Sequence, residues 1–249
     1  MGKIVAIWGG EIGRPGYPIE TIKIDKEIVK FSWKKHPNLL FIPTASWDSE
    51  WYVSVASNYF WKKLWCKINI LYLINNKPTT KEIEEKILGS DIVYVWGGNT
   101  LKMMTLWRKF WVDKVLKKAL KKDIVLCWTS AGSICRFRHW NSDSRKFTSD
   151  SNQLIKVTWL GLINALHCPH YNVEEQRHED LKRMTKKYPW VSIAIDNCCA
   201  IQIHDDKYRI ISSKEWAKAY KIYRKLWKYF KETIPETKEY KLLKDLLRK

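Results

Sequence analysis

Residues 123–136, DIVLCWTSAGSICR, have the pattern of a buried strand that runs straight into a sharp turn and then a helix. The apolar run 124–127 is followed by Trp128 and then by Thr129, Ser130, Ala131 and Gly132. A serine at the apex of such a turn is exposed at the end of its strand, beside backbone N–H groups at the start of the helix. The stretch therefore predicts a nucleophile at Ser130; the alternative is that its hydroxyl side chains only cap the helix.

The rest of the first half alternates short apolar runs with segments of helical periodicity. Strands are predicted at 3–7, 38–45, 68–74, 91–95 and 124–127, and helices at 21–31, 51–64, 81–88, 101–110 and 112–121. Such alternation is typical of right-handed β-α-β crossovers. We expect a three-layer α/β/α fold with a mostly parallel central sheet, in which ligands bind at the carboxyl ends of the strands.

The second half is less regular. Residues 136–154 are polar and predict a loop, whereas 163–171 predict a short strand and 173–187 a helix. Further strands are predicted at 191–196, 200–204 and 208–212, and a basic helix within 236–249. Periodicity leaves 217–223 and 228–233 open between a β-hairpin and one amphipathic helix. No linker or repeat divides the chain, so residues 1–249 are expected to form a single domain.

Net charge, apolar runs and cysteine spacing bear on the partners and the location of the protein. The 249 residues carry a formal net charge of +19, but the lysines are spread along the whole chain and no nucleic-acid-binding motif accompanies them. We therefore expect no nucleic-acid partner. With no apolar run of about 18 residues and no cleavable leader, the sequence predicts a cytoplasmic protein without a membrane partner. Six scattered cysteines predict free thiols and no metal site. We also expect no organic cofactor. The protein is expected to be a monomer or a homodimer.

A second turn supports a site at the same edge of the sheet. Gly97, Gly98, Asn99 and Thr100 follow the predicted strand at 91–95. In a parallel sheet this turn lies beside Ser130, so its backbone N–H groups, together with that of Ala131, could form an oxyanion hole. The alternative is an ordinary tight or phosphate-binding turn.

The expected base is His170, which ends a predicted strand and follows a proline. The other five histidines lie in a strand interior or in polar surroundings. An orienting carboxylate is expected at Asp143, in the polar loop after the serine, with Asp196 at a strand end as the reserve; both could instead be turn-forming aspartates.

Four motifs in this order, GGNT, TSAGSIC, NSDS and HCPHY, resemble the peptidase E and cyanophycinase-like serine peptidases (peptidase family S51), over roughly residues 1–223. The resemblance implies the class I glutamine amidotransferase-like, flavodoxin-like fold, with a C-terminal β-hairpin region and helix. It implies catalysis by Ser130, His170 and Asp143, with the oxyanion bound near Gly98, Asn99 and Ala131. Related amidotransferases carry cysteine at the elbow, so a serine there argues against glutaminase chemistry.

The same resemblance bears on substrate choice. In aspartyl dipeptidases an arginine that binds the substrate's aspartate precedes a Glu-Gln-Arg run, and here Glu174 stands in that place. A carboxylate repels an acidic side chain, so a peptide substrate is expected without aspartyl specificity, unless Arg177, Arg136 or Arg138 substitutes. The alternative function is a catalytically silent protein that binds a peptide or small acidic ligand in the same pocket.

Fifteen tryptophans against ten glycines is an unusual ratio, because glycine commonly makes up about 7% of a protein. Several tryptophans stand where a turn or the family pattern favours glycine: Trp8, Trp47, Trp96, Trp128, Trp140, Trp190, Trp216 and Trp227. We therefore consider that many of them are UGA codons decoded as glycine in the native organism. Trp107, inside a predicted helix, is expected to be a true tryptophan. The alternative is a tryptophan-rich protein in which some indoles line a pocket.

Overall fold

The computed structural model describes residues 2–130, 137–142, 155–157, 163–168, 170–173, 175–188 and 190–249. The strands of this part of the chain are β1 (Lys3–Ile7), β2 (Asn38–Ile42), β3 (Lys67–Ile70), β4 (Ile92–Val95), β5 (Val125–Thr129), β6 (Phe137–Ser142), β7 (Ile155–Val157), β8 (Ile163–Cys168), β9 (Ser192–Ile195), β10 (Cys199–His204), β11 (Lys207–Ser212), β12 (Ala219–Lys225), β13 (Lys228–Ile234) and β14 (Lys241–Leu242). The α-helices are α1 (Ile22–Phe31), α2 (Glu50–Leu64), α3 (Thr80–Leu88), α4 (Thr100–Lys109), α5 (Val112–Ala119), α6 (Glu175–Lys187) and α7 (Leu243–Leu247).

The larger sheet has the strand order β14-β11-β10-β1-β5-β4-β2-β3. Its members from β1 to β3 are parallel, and β10, β11 and β14 extend it in antiparallel fashion. Side chains of β1 alternate between two cores. Ile4 packs in the core that includes residues of α3, α4 and α5, while Val5 packs in the core that includes residues of α1 and α2. Helices therefore cover both faces of the sheet, and the predicted three-layer α/β/α fold is confirmed.

A second sheet, which the sequence pattern did not reveal, has the order β13-β12-β9-β8-β6-β7. Strands β6, β8 and β9 run parallel to one another. The predicted loop at 136–154 is thus wrong for its first part, because β6 lies there. A strand this polar is hard to recognise, since it is held by main-chain pairing with β8 and β7 rather than by an apolar pattern.

The C-terminal region forms a hairpin where the sequence left hairpin or helix open, and its last helix is shorter than predicted. Residues 217–233 contain the β12–β13 hairpin, not an amphipathic helix. The basic helix predicted within 236–249 is much shorter, because β14 first pairs with β11 and only the five residues of α7 follow. Leu243 and Leu246 of that helix are buried in the core. The helix is therefore held against the protein by apolar packing and not by its basic charge. Among the described residues, no helix is long and apolar enough to cross a membrane.

A buried carboxyl beneath the larger sheet makes stability depend on pH. Asp25 is fully buried and accepts hydrogen bonds from Thr21 Oγ1 at 2.6 Å and Tyr59 Oη at 2.7 Å. Burial is the largest influence on this carboxyl and raises its pKa to about 6, against the hydrogen bonds, which lower it. A raised folded-state pKa means that the folded state binds the proton more tightly than the unfolded state. The stability contributed by the protonated form is present at pH 4 and is lost as the pH rises through about 6.

We expect Asp25→Asn to stabilise the protein at pH 7.5 by about 1 kcal/mol, because the neutral amide keeps an acceptor for Thr21 and Tyr59 without a buried charge. The gain is this small because the amide N–H₂ takes the place of Oδ1, which has no hydrogen-bond partner. The gain should shrink towards pH 4. Urea unfolding of both proteins across this pH range measures it. Asp206→Asn, an exposed carboxyl in the β10–β11 turn, is the control and should show no such trend; a gain independent of pH would refute the assignment to charge burial.

Candidate active site

Three strand ends of the larger sheet meet around Ser130. Strands β1, β5 and β4 are neighbours, with Ile7 paired to Thr129 and Val95 paired to Trp128. The turns after β1 and β4 therefore flank the serine that follows β5. A Cβ atom on Gly97 would lie 2.8 Å from Ser130 Cβ, and one on Gly98 would lie 2.2 Å from the Ala45 carbonyl oxygen. Glycine is required at both positions because the turns approach so closely.

Ser130 Oγ lies 2.9 Å from His170 Nε2. The serine follows β5 of the larger sheet, whereas the histidine follows β8 of the second sheet. Both residues have left-handed backbone conformations, with φ of 50° for Ser130 and 51° for His170. Such conformations are uncommon for residues other than glycine and concentrate at functional sites, where the surrounding structure holds them. The two predicted reactive residues are therefore brought together across the two sheets.

The second nitrogen of the histidine contacts an amide. His170 Nδ1 lies 2.6 Å from Asn197 Oδ1, and the Asn197 N–H donates to Asn172 Oδ1 at 2.9 Å. Because a carbonyl oxygen only accepts, His170 Nδ1 carries the proton in this contact. In the neutral ring the lone pair then lies on Nε2, facing Ser130 Oγ, which is the tautomer that a general base needs.

The position of Asn197 is fixed by the link in which the chain passes from one sheet to the other. It lies between β9 of the second sheet and β10 of the larger one, and the next residue, Cys198, donates its N–H to Gly9 O at 3.0 Å. Gly9 has a φ of 93°, and a Cβ there would lie 2.6 Å from Asn197 Oδ1 and 3.0 Å from His170 Cε1. The turn after β1 thus closes directly against the His170–Asn197 pair.

Other predicted site residues are placed differently. The Asn99 N–H, expected near the oxyanion, donates to Ala45 O at 2.8 Å, and Asn99 Oδ1 accepts from Lys102 N at 3.0 Å as the N-cap of α4. Asn99 therefore shapes the turn instead of offering that donor. The reserve carboxylate Asp196 is buried, and its Oδ2 accepts from the Lys218 N–H at 3.0 Å. Burial raises its pKa, and the contact with His170 Nδ1 is made by Asn197.

Arg177, one of the predicted specificity residues, is only 2% exposed within α6. Asp143, Ala131, Glu174 and Arg136 lie outside the described residues, and Arg138 falls in β6. Sequence reasoning missed Asn197 because it considered only carboxylates as the orienting group. The sequence does show that Asn197 follows a buried strand, but not that this strand pairs with the one leading to His170.

The indoles next to the turns around Ser130 are packed. Trp8 and Trp128 are fully buried in the core that includes residues of α3, α4 and α5, and the Trp8 indole N–H donates to His167 Nε2. His167 Nδ1 contacts Ile193 O at 3.0 Å, and burial lowers the pKa of this imidazole well below its usual value. His167 is therefore a neutral core residue, as expected for a histidine inside a strand. The third indole, Trp96, packs against Phe41 and Tyr52.

The neutral amide beside His170 gives a prediction for the reactivity of Ser130. We expect Asn197→Asp to raise the rate at which a fluorophosphonate labels Ser130 by about tenfold or more, because a carboxylate stabilises a protonated His170 ring whereas an amide does not. Aspartate has the same length as asparagine, so the 2.6 Å contact can be kept. The time course of labelling, followed by mass spectrometry, measures the change. Asn172→Asp, at the amide that accepts the Asn197 N–H, is the control, and an equal rise there would point to general charge rather than orientation.

A serine turn at the strand ends of an α/β sheet, with a histidine ring against its hydroxyl, is typical of hydrolytic enzymes. Residues 15–211 match the family model described as peptidase family S51. The chain is also 30% identical over 226 residues to the uncharacterized peptidase YgaJ of Bacillus subtilis (strain 168), covering 89% of this chain and 92% of that protein. The chain belongs to peptidase family S51 and is therefore a peptidase.

Two solved structures share the fold. A peptidase from an acI-B1 Actinobacterium superposes with a TM-score of 0.71 at 15% identity, covering 97% of this chain and 96% of that one. A putative peptidase E protein from Listeria monocytogenes EGD-e superposes with a TM-score of 0.62 at 20% identity, covering 85% of this chain and 98% of that one. At these identities the likeness concerns the fold.

Proposed function

We propose that the protein is a serine-type peptidase that hydrolyses a peptide or related amide bond through an acyl-enzyme on Ser130. The observation that carries the proposal is the series of contacts from Ser130 Oγ to His170 Nε2 at 2.9 Å and from His170 Nδ1 to Asn197 Oδ1 at 2.6 Å. This is the relation of nucleophile, base and orienting group that activates a serine.

The chemistry follows from these contacts. His170 Nε2 takes the hydroxyl proton while Ser130 Oγ bonds to the carbonyl carbon, and the imidazolium then gives that proton to the leaving amine. Water enters, His170 again acts as base, and the acid is released. Backbone N–H groups of Gly97 and Gly98, with Ala131, are the proposed donors to the oxyanion. Asn197 holds the imidazole in position but brings no negative charge to stabilise its cationic form.

For the substrate we propose a peptide without a requirement for an aspartyl residue. Glu174 stands where aspartyl dipeptidases carry their arginine, and a carboxylate repels an acidic side chain. Arg177 is almost fully buried, which argues against its acting as a substitute. A dipeptide panel with acidic, neutral and basic first residues tests this preference.

One observation favours a second candidate function, a catalytically silent protein that binds a peptide at the same site. That observation is the amide at Asn197, which fixes the tautomer of His170 but, unlike a carboxylate, brings no negative charge to stabilise the imidazolium. The silent protein would bind peptides and release no product.

A serine-reactive fluorophosphonate distinguishes the two. We expect it to modify Ser130, with the adduct located by tandem mass spectrometry on the peptide that contains residues 123–136. His170→Ala should lose most of the labelling, because the serine then has no base, and Ser130→Ala should lose all of it. An unlabelled protein that is folded and still binds peptides would refute the enzyme and support the binder.

A further inference from the structure

Five tryptophans of this chain occupy backbone positions that favour glycine. Trp33, Trp47, Trp65, Trp111 and Trp227 have φ angles between 57° and 67°. Among the described residues, thirteen other than glycine have a positive φ, and these five are the largest group of one type. Left-handed backbone is rare outside glycine and is tolerated best by asparagine, aspartate and histidine, whereas a bulky residue there is an outlier.

Three of the five follow the end of a helix. Trp65 is the C-cap of α2, with φ 57° and ψ 29°, and its N–H donates to Trp61 O at 3.1 Å. Trp33 follows the C-cap of α1 and donates its N–H to Lys30 O at 3.1 Å. Trp47 ends the short 3-10 helix Thr44–Ser46 with φ 65° and ψ 32°. A left-handed residue that closes a helix in this way is usually glycine, because glycine has no Cβ to clash.

The other two lie in tight connections. Trp111, with φ 61°, is the link between α4 and α5. Trp227 is the second residue of the two-residue loop between β12 and β13, where Leu226 has φ 47° and Trp227 has φ 67°. Positive φ at both loop positions is the type I′ hairpin turn, which strongly prefers glycine at its second position.

The five side chains lie mostly in solvent, between 58% exposed for Trp111 and 85% exposed for Trp227. Four of the rings have a cation or an imidazole beside them: Lys3 at Trp33, Lys102 at Trp47, Arg224 at Trp227 and His36 at Trp65. Contacts of this kind at exposed rings are weak and do not require a left-handed backbone. By contrast, Trp107 is fully buried inside α4 and has no positive φ. Backbone conformation and exposure thus separate five glycine-like tryptophans from one that packs as a tryptophan should.

We infer that residues 33, 47, 65, 111 and 227 are glycine in the protein as its own cells make it, inserted at UGA codons, and that residue 107 is tryptophan. Two of these positions, 47 and 227, also stand out in the sequence as turn-like; 33, 65 and 111 are identified by backbone geometry alone. The inference concerns the chain itself and is independent of the proposed catalytic mechanism.

Mass spectrometry of protein isolated from its native cells tests the inference. Cleavage after aspartate and glutamate gives a peptide of residues 92–113, which holds positions 107 and 111 together, and one of residues 51–82, which holds position 65. We expect the mass of glycine at 111 and 65 and the mass of tryptophan at 107. Tryptophan at 33, 47, 65, 111 and 227 would overturn the inference, as would UGG codons there in the gene.

Discussion

Replacing Ser130 by alanine is expected to lower kcat/KM for peptide hydrolysis by about 10³-fold or more. The substitution removes the oxygen that lies 2.9 Å from His170 Nε2, which is the nucleophile of the proposed acyl-enzyme. His170→Ala should cost a similar factor, because the serine is a weak nucleophile without its base. The double variant should be little worse than either single one, since residues that act as a unit are strongly non-additive.

Ser32→Ala is the matched control for this loss. Ser32 donates its hydroxyl to Val29 O at the C-terminal end of α1. That helix follows β1, so its C-terminus lies at the opposite edge of the sheet from Ser130. Ser32→Ala should keep full activity, and thermal unfolding should show that Ser130→Ala is folded. Turnover that survives Ser130→Ala in the folded protein would exclude the acyl-enzyme mechanism.

Replacing Trp33, Trp47, Trp65, Trp111 and Trp227 together by glycine is expected to stabilise the protein by about 2–5 kcal/mol. A left-handed conformation costs a residue with a side chain about 1–2 kcal/mol. Glycine relieves that cost but loses about 0.5–1 kcal/mol more backbone entropy on folding. The net gain is thus about 0.5–1 kcal/mol per position, which for a chain of this size corresponds to a rise in Tm of about 5–15 °C.

The five-fold alanine variant separates backbone strain from surface effects. Alanine removes the same exposed aromatic area but keeps a Cβ, so its Tm should stay close to that of the tryptophan protein. Trp61→Gly is the second control. Trp61 is exposed within α2 and has no positive φ, so glycine there should destabilise by about 0.5–1 kcal/mol. If glycine and alanine raise the Tm equally, strain is not the cause.

The larger sheet could be predicted from sequence because its strands carry continuous apolar runs. Residues 3–7 and 38–42 form interior strands of a sheet that is covered on both faces, so each strand shows a local signal of burial. The same reasoning placed Ser130 and Gly97 at one edge, since parallel strands end together. Their adjacency follows from the β4–β5 pairing.

The second sheet could not be predicted in the same way. Strand β6 is polar, and its pairing with β8 joins segments separated by a stretch with no apolar periodicity. Without that pairing, the relation of β8 to β9 is hidden, and so is the proximity of Asn197 to His170. Backbone conformation was equally hidden at Trp33, Trp65 and Trp111, where no neighbouring residue signals a turn. These features depend on contacts between distant segments, which a local pattern does not record.

The division of the reactive groups between two sheets has a mechanical consequence. Ser130 follows β5 of the larger sheet, His170 follows β8 of the second, and Asn197 lies in the link between the two sheets, so their alignment depends on how the sheets fit together. A slip of about 1 Å between them would break a hydrogen bond of this length while leaving every strand and helix intact. The alignment of Ser130 with His170 is therefore set by the packing between the two sheets, which share one buried core that includes Ile4 of β1 and Ile193 of β9.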